Sequence, residues 1–191
     1  MAEKTWDMPT RILHWLLVVT ICLQLATSFL VDDPHTRLYF YVHEYIGLLA
    51  GLVILAHWMW SYANGDLRIM FPWGGERWAK VKSEFRELLH GKLSMGGRQP
   101  GLSSFVHGLG FLTVSMMAFT GFLIYEVIPG GRGASANSHH YQAFTNLSGI
   151  HAFFSYFLWA YMIGHVGTAL LHLFRKEHVF GEIFLDSTPG R

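Results

Sequence analysis

The sequence predicts an all-α membrane protein, a bundle of four transmembrane helices. Hydrophobic residues make up 51% of the 191 residues and charged residues only 14%, whereas a soluble domain carries about 25% charged residues. Four apolar runs are each long enough to cross a bilayer, which takes about 20 residues in a helix. The length fits one domain, so we expect residues 1–191 to form a single membrane-embedded domain.

The four apolar runs cover residues 12–31, 38–62, 102–128 and 147–174. The first run follows Lys4 and Arg11, as the apolar part of a signal peptide would. However, the run is too long for a signal peptide, Asp7 lies in its charged segment, and no A-x-A cleavage site follows. We therefore interpret the first run as a retained helix.

The distribution of positive charge predicts the orientation of the chain. Of 14 Lys and Arg residues, all but Arg37 and Arg132 lie at the two termini or between the second and third runs. Loops rich in Lys and Arg stay on the cytoplasmic side of a membrane. We therefore expect both termini to be cytoplasmic.

The loop between the second and third runs contains a further predicted helix. Residues 76–90 alternate charged residues with apolar residues at helical spacing, which gives the segment one apolar face. Such a helix is typical of a membrane surface, here the cytoplasmic one. A solvated linker helix is the alternative interpretation.

Histidines are the unusual feature of the membrane segments. Ionisable residues are costly in a bilayer and therefore indicate function. Glu44 is the one acidic residue well within a run, and Glu126 is near an end. Neutral imidazoles without carboxylates fit haem iron better than they fit a proton or cation carrier. The histidines in or at the runs are His14, His43, His57, His107, His151, His165 and His172.

Two histidine pairs share the same spacing. His43 and His57 are 14 residues apart in the second run, and His151 and His165 are 14 apart in the fourth. Fourteen residues return to nearly the same helix face after a rise of about 21 Å. The spacing predicts two stacked haems between facing helices, one near each membrane surface. The single cysteine, Cys22, excludes an internal disulfide and covalently attached haem.

Glycines accompany these histidines, and two interpretations stay open for them. A missing side chain lets a flat macrocycle approach the backbone, or it lets another helix pack closely. The glycines concerned are Gly47, Gly51, Gly149, Gly164 and Gly167. We expect the remaining histidines at the surface: His35, His90, His139, His140 and His178.

Several short segments carry a resemblance to a known family. They are DMPTRILHW at 7–15, VHEYIG at 42–47, VHG at 106–108, Thr120-Gly121, and the pair His151 and His165. With these segments the chain resembles the bacterial cytochrome b561 family, together with the cytochrome b subunits of nickel–iron hydrogenases and formate dehydrogenases. The resemblance covers nearly the whole chain, from Trp6 to about Phe174.

The resemblance implies a set of haem ligands. In that family the first and second spans each give one ligand and the fourth gives two. Carried over, the outer haem binds His43 and His151, and the inner haem binds His14 and His165. Spacing alone favours His57 as the inner partner of His165, so His57 remains the rival inner ligand. His107 and His172 are either neighbours of the haem propionates or the quinone, or structural residues.

The resemblance also implies the cofactors, the location and the function. The chain would bind two non-covalent haem b groups, cross the bacterial inner membrane several times, and exchange electrons with quinone. A membrane-anchor subunit would serve a hydrogenase, a dehydrogenase or a c-type cytochrome. A self-contained enzyme like superoxide oxidase, which reduces quinone, is the first alternative. A haem-free metal or solute transporter is the second. Whether the chain is itself an enzyme stays open, and no catalytic residue is predicted. The net charge of +1 gives no sign of nucleic-acid binding.

Overall fold

The computed structural model describes residues 6–31, 37–71, 74–92, 101–127 and 138–174. Within these ranges the chain forms helices and no strands. The helices, in chain order, are α1 (Met8–Ser28), α2 (Arg37–Ala63), α3 (Leu67–Met70), α4 (Gly75–Leu89), α5 (Leu102–Val127) and α6 (Ser138–Phe174).

Four of these helices are long and apolar enough to cross a membrane, which confirms the predicted number of spans. They are Met8–Ser28, Leu38–Ala63, Leu102–Val127 and Tyr141–Phe174. Buried residues make up only 11% of the most apolar window of the last span and 33% of that of the first. Most of their apolar side chains therefore face outward, which water would disfavour and a lipid environment favours.

Two helices begin earlier than the apolar runs predict. α1 begins at Met8 rather than at residue 12, and α6 begins at Ser138 rather than near residue 147. Hydropathy marks the part of a helix that lies in lipid, while the helix itself continues through polar residues that remain in water. Pro9 suits the first turn of α1, because its missing N–H has no partner within a helix there.

The chain divides into two compact units. The first unit contains Met1–Ile12, His57–Leu112 and Tyr161–Arg191. The second unit contains Leu13–Ala56 and Thr113–Ala160.

The second unit has an aliphatic core. Leu17, Ile21 and Leu25 are buried on α1, and their spacing of four residues puts them on one helix face. The other buried apolar side chains of this unit are Ala50, Val53, Ile54, Val114 and Leu158. Thr20, Thr27 and Thr120 are also buried in it.

In the first unit, Asp7 joins the start of α1 to the end of α2. Its Oδ2 accepts hydrogen bonds from the Trp60 indole at 2.9 Å and from the Asn64 amide at 2.7 Å. Burial raises the pKa of the Asp7 carboxyl, but the hydrogen bonds from Thr10, Trp60 and Asn64 outweigh it and hold this pKa below its ordinary value. A carboxylate before the first turn of α1 also complements the helix dipole.

The amphipathic helix predicted at 76–90 is α4, and it packs on α5 within the first unit. Val81 is buried, and the ring of Trp78 lies edge-on to that of Phe105, with 5.0 Å between their centres. Glu84 Oε2 accepts a hydrogen bond from the backbone N–H of Leu102, the first residue of α5, at 2.6 Å. Gly101 permits this approach, because a Cβ there would lie 2.6 Å from the Glu84 carboxylate.

Candidate functional site

Two of the predicted ligands lie side by side in the second unit. His43 on α2 and His151 on α6 are both half-buried, their ring centres are 6.4 Å apart, and their ring planes are 83° apart. The sequence separates the two residues by more than a hundred positions, so the folding of the helices creates this pair.

Each of these rings has a threonine hydroxyl at its Nδ1 atom. Thr27 Oγ1 on α1 lies 3.0 Å from His43 Nδ1, and Thr120 Oγ1 on α5 lies 2.8 Å from His151 Nδ1. Both threonine side chains are buried. Each imidazole is therefore held by a helix other than its own.

Smaller contacts complete the surroundings of the two rings. The Gln24 amide on α1 donates a hydrogen bond to the backbone carbonyl of His43 at 2.5 Å. Gly47 makes room for this amide, because a Cβ there would lie 3.0 Å from Gln24 Nε2. Gly121 similarly makes room for His151, whose Cε1 would lie 3.4 Å from a Cβ at that position.

The separation of His43 and His151 fits a haem iron bound by two imidazoles. An imidazole nitrogen lies about 2 Å from its metal and the ring centre about 1 Å farther, so two rings on one metal are about 6 Å apart. The observed distance between the ring centres is 6.4 Å. Ligation uses a nitrogen that carries a lone pair, and the bond from Nδ1 to threonine leaves Nε2 for that role.

A second histidine cluster lies in the first unit. His165 on α6 stacks on Tyr161, with ring centres 5.3 Å apart, and the ring of His107 on α5 meets it edge-on at 4.9 Å. His107 Nδ1 bonds to the backbone carbonyl of Ser103 at 2.8 Å. Tyr161 lies where a Cβ of Gly110 would be, so glycine at this position makes the slot for the phenol ring.

His57, the rival inner ligand, is buried in the first unit. Its ring lies edge-on to Phe111, with ring centres 5.0 Å apart. Among the residues that the structure describes, neither nitrogen of its ring has a hydrogen-bond partner, and Ser61 Oγ one turn later has none either. Buried polar atoms in proteins are nearly always satisfied, so His57 is the most unusual histidine of this unit.

The other histidines are placed as follows. His14 is half-buried on α1 in the second unit, where its ring meets Trp15 edge-on at 5.9 Å. His165 belongs to the first unit, so the pairing of His14 with His165 stays a prediction. His172 is buried, while His90 and His139 are exposed as expected. His35, His178 and the side chain of His140 lie outside the described residues.

Two of the five glycines beside the histidines contact another helix, and the other three do not contact any described residue at the position of a Cβ. Gly47 faces the Gln24 amide and Gly51 makes ordinary contact with Ala118, so both serve helix–helix packing. A Cβ at Gly149, Gly164 or Gly167 would meet no described atom within 4 Å. These three positions on α6 leave open surface.

Sequence reasoning missed Tyr161 beside His165 and Phe111 beside His57, and it missed Gln24 and Thr27 beside His43. Gln24 and Thr27 lie in an apolar run, where a single polar residue gives no sign of its partner. Thr120 was part of a quoted motif, but its contact with His151 depends on how α5 and α6 are rotated. Within the described ranges, no group of three or more His, Cys, Asp or Glu side chains is arranged to hold a metal ion. A haem iron takes only two axial protein ligands.

A comparison with protein families gives a match over nearly the whole chain. The sequence profile described as prokaryotic cytochrome b561 matches residues 5–184, nearly the whole chain. No curated protein and no solved structure matches the chain.

Proposed function

The chain belongs to the prokaryotic cytochrome b561 family, and from that premise we propose that it carries two haem b groups and moves electrons between the membrane quinone pool and a redox partner. The family makes the chain a haem-binding b-type cytochrome of electron transport, and its four apolar helices make it a multi-pass membrane protein. The number of haems, the quinone and the partner are the proposal.

The observation that carries the proposal is the His43–His151 pair. Two imidazoles from different helices, with 6.4 Å between ring centres, would hold one haem iron between them. Their Nδ1 atoms bond to Thr27 and Thr120, so the same tautomer suits both. His43 and His151 are the proposed ligands of the outer haem.

The inner haem is proposed to bind His14 and His165. His165 stands among Tyr161 and His107, whose rings restrict its rotation. His14 is half-buried on α1 and follows the RIL segment of the family resemblance. His57 remains the rival, since its ring nitrogens are buried in the same unit as His165.

The residues of this chain would hold each haem, fix the rotation of its ligands and exclude water from it. When bound, haem would supply one-electron chemistry at its iron. The second unit, which contains His43 and His151, also has a buried aliphatic core. A dry surrounding of this kind limits access to the iron and tunes its potential.

The proposed location of the protein is the bacterial inner membrane, with both termini in the cytoplasm. Its proposed role is that of the membrane-anchor subunit of a respiratory oxidoreductase. The excess of Lys and Arg at the termini and between α2 and α5 supports this orientation. A hydrogenase, a dehydrogenase or a c-type cytochrome is the expected class of partner.

Replacement of the proposed outer ligands tests the site. We expect His43→Ala and His151→Ala each to lower the haem content from two per chain to one, because either change removes one axial ligand of the same iron. Haem is counted by the pyridine haemochrome assay on detergent-purified protein. His139→Ala, which removes an exposed imidazole from α6, is the matched control and should keep both haems.

Retention of both haems in either variant would show that the outer-haem assignment is incorrect. Retention of one haem also shows that the variant is folded, since the remaining haem needs its own helices in place.

A further inference from the structure

We propose that Thr27 and Thr120 are positioning residues that fix the protonation of both outer haem ligands and set the potential of that haem. The inference rests on the proposed function, because it takes His43 and His151 as axial ligands. It concerns the two side chains that hold the ligand rings, not the ligands themselves.

The hydrogen bonds of the threonine hydroxyls determine where each imidazole proton lies. A hydroxyl has one proton to donate and two lone pairs. Thr27 Oγ1 donates to the Leu23 carbonyl at 2.8 Å, and Thr120 Oγ1 donates to the Met116 carbonyl at 2.8 Å. Each proton is thus used within its own helix, and the oxygen accepts a bond from the neighbouring Nδ1–H. Nε2 then carries the lone pair that an iron needs.

The same arrangement occurs twice in the second unit. α1 supplies Thr27 to His43 on α2, and α5 supplies Thr120 to His151 on α6. In each case the acceptor comes from the preceding long helix. The two ligands therefore receive matched support, although the local sequences around the threonines differ.

Two other described histidines use a different acceptor. His107 Nδ1 bonds to the carbonyl of Ser103, and His90 Nδ1 bonds to that of Arg86, in each case four residues earlier in the chain. Such a bond follows from local helix geometry alone. A hydroxyl from another helix needs a specific residue at a specific place, which His43 and His151 each have.

The hydroxyl contacts have a predictable effect on an iron. An imidazole whose Nδ1–H is bonded to an acceptor is a more basic ligand, and a more basic ligand favours ferric over ferrous iron. Both threonines are buried, where a hydrogen bond is stronger than in water. Removing either hydroxyl should therefore raise the midpoint potential of the outer haem.

Valine substitution isolates the hydroxyl, because valine has nearly the shape of threonine and no oxygen. We expect Thr27→Val and Thr120→Val each to shift the outer-haem potential upward, and the double variant to shift it farther. Thr27→Ser and Thr120→Ser should restore the wild-type potential. The measurement is a spectroscopic redox titration, with electron paramagnetic resonance of the ferric haem as a second signature.

Thr20→Val is the matched control. Thr20 is buried on α1 in the same unit, and its hydroxyl donates to the Leu16 carbonyl at 2.8 Å in the same manner as Thr27. The described residues give it no bond to a histidine. The control should leave the potential at the wild-type value.

The inference is overturned if both valine variants keep the wild-type potential and spectrum, or if serine shifts them as much as valine. A valine variant that loses the outer haem also supports the inference on two conditions. The matching serine variant must keep the outer haem, and both variants must keep the inner haem. A wild-type protein without an outer haem would instead refute the proposed function, and the haem count separates that result from a failure of the threonine inference.

Discussion

At the scale of single residues, His14 and His57 are the two candidates for the inner haem ligand that pairs with His165, and their surroundings differ. His14 is half-buried in the second unit beside Trp15. His57 is buried in the first unit, and among the described residues its ring nitrogens have no hydrogen-bond partner. A buried imidazole without partners is destabilising by about 1–3 kcal/mol. Iron ligation would offset that cost, and so would any other bound polar group.

Separate replacement of the two residues distinguishes them. We expect His14→Ala to reduce the haem count from two to one and His57→Ala to keep both haems, because the family resemblance assigns the inner ligand to the first span. Haem content and reduced-minus-oxidised spectra provide the measurement. His90→Ala, which removes an exposed imidazole from the first unit, controls for the loss of an imidazole.

The opposite pattern would reverse the assignment. If the inner haem is lost only from His57→Ala, then the 14-residue spacing of His43 and His57 gives the correct ligands and the resemblance does not.

Residue types were readable from the sequence, while their contacts were not. Histidines in apolar runs stand out because ionisable residues are rare there. Threonines do not stand out, since their methyl groups and backbone-bonded hydroxyls make them common packing residues. The contact of Thr27 with His43 depends on the rotation of α1 against α2. Hydropathy carries no information on that rotation.

At the scale of the elements, the ends of the helices are held by polar contacts. Asp7 connects α1 to Trp60 and Asn64 on or just after α2, and Glu84 of α4 binds the first N–H of α5. These contacts lie beyond the most apolar parts of the spans. They fix how neighbouring helices meet, which lipid contact alone does not.

The Asp7 contacts predict a dependence of stability on pH. The pKa of the Asp7 carboxyl in the folded protein lies below its ordinary value of 3.8. Its stabilising contribution is therefore fully present above that ordinary value, and it is lost as the pH falls through the lower folded pKa. We expect Asp7→Asn to lower the unfolding midpoint at pH 6 by roughly 2–4 °C, the shift for about 1 kcal/mol in a chain of this length.

The measurement is thermal unfolding in detergent at pH 6 and at pH 3. The difference between wild type and Asp7→Asn should shrink at pH 3, because the wild-type carboxyl is then increasingly protonated. Glu76→Gln, which changes an exposed carboxylate on α4, is the control. An equal difference at both pH values would contradict the role of the Asp7 charge.

The elements themselves were largely predictable. The four apolar runs correspond to four long helices, and the amphipathic segment corresponds to α4. The starts of α1 and α6 were not predictable from hydropathy, because their first turns contain polar residues such as Thr10 and His139. Those turns are helical because of backbone hydrogen bonds, and hydropathy does not report on backbone hydrogen bonds.

At the scale of the whole molecule, each unit contains a group of histidines. Of the histidines in the membrane spans, the second unit contains His14, His43 and His151, and the first contains His57, His107, His165 and His172. α2 and α6 contribute histidines to both units. Two groups of imidazoles in a chain of the cytochrome b561 family are consistent with the proposal of two haems.

The central claim is that one chain holds two haem b groups, and the haem content of the wild-type protein tests it most directly. The measurement combines a reduced-minus-oxidised spectrum of the detergent-purified protein with a pyridine haemochrome assay referred to the protein concentration. We expect the spectrum of a b-type cytochrome and two haems per chain. A purified, folded protein that contains no haem would contradict the account, and the membrane histidines would then need another explanation.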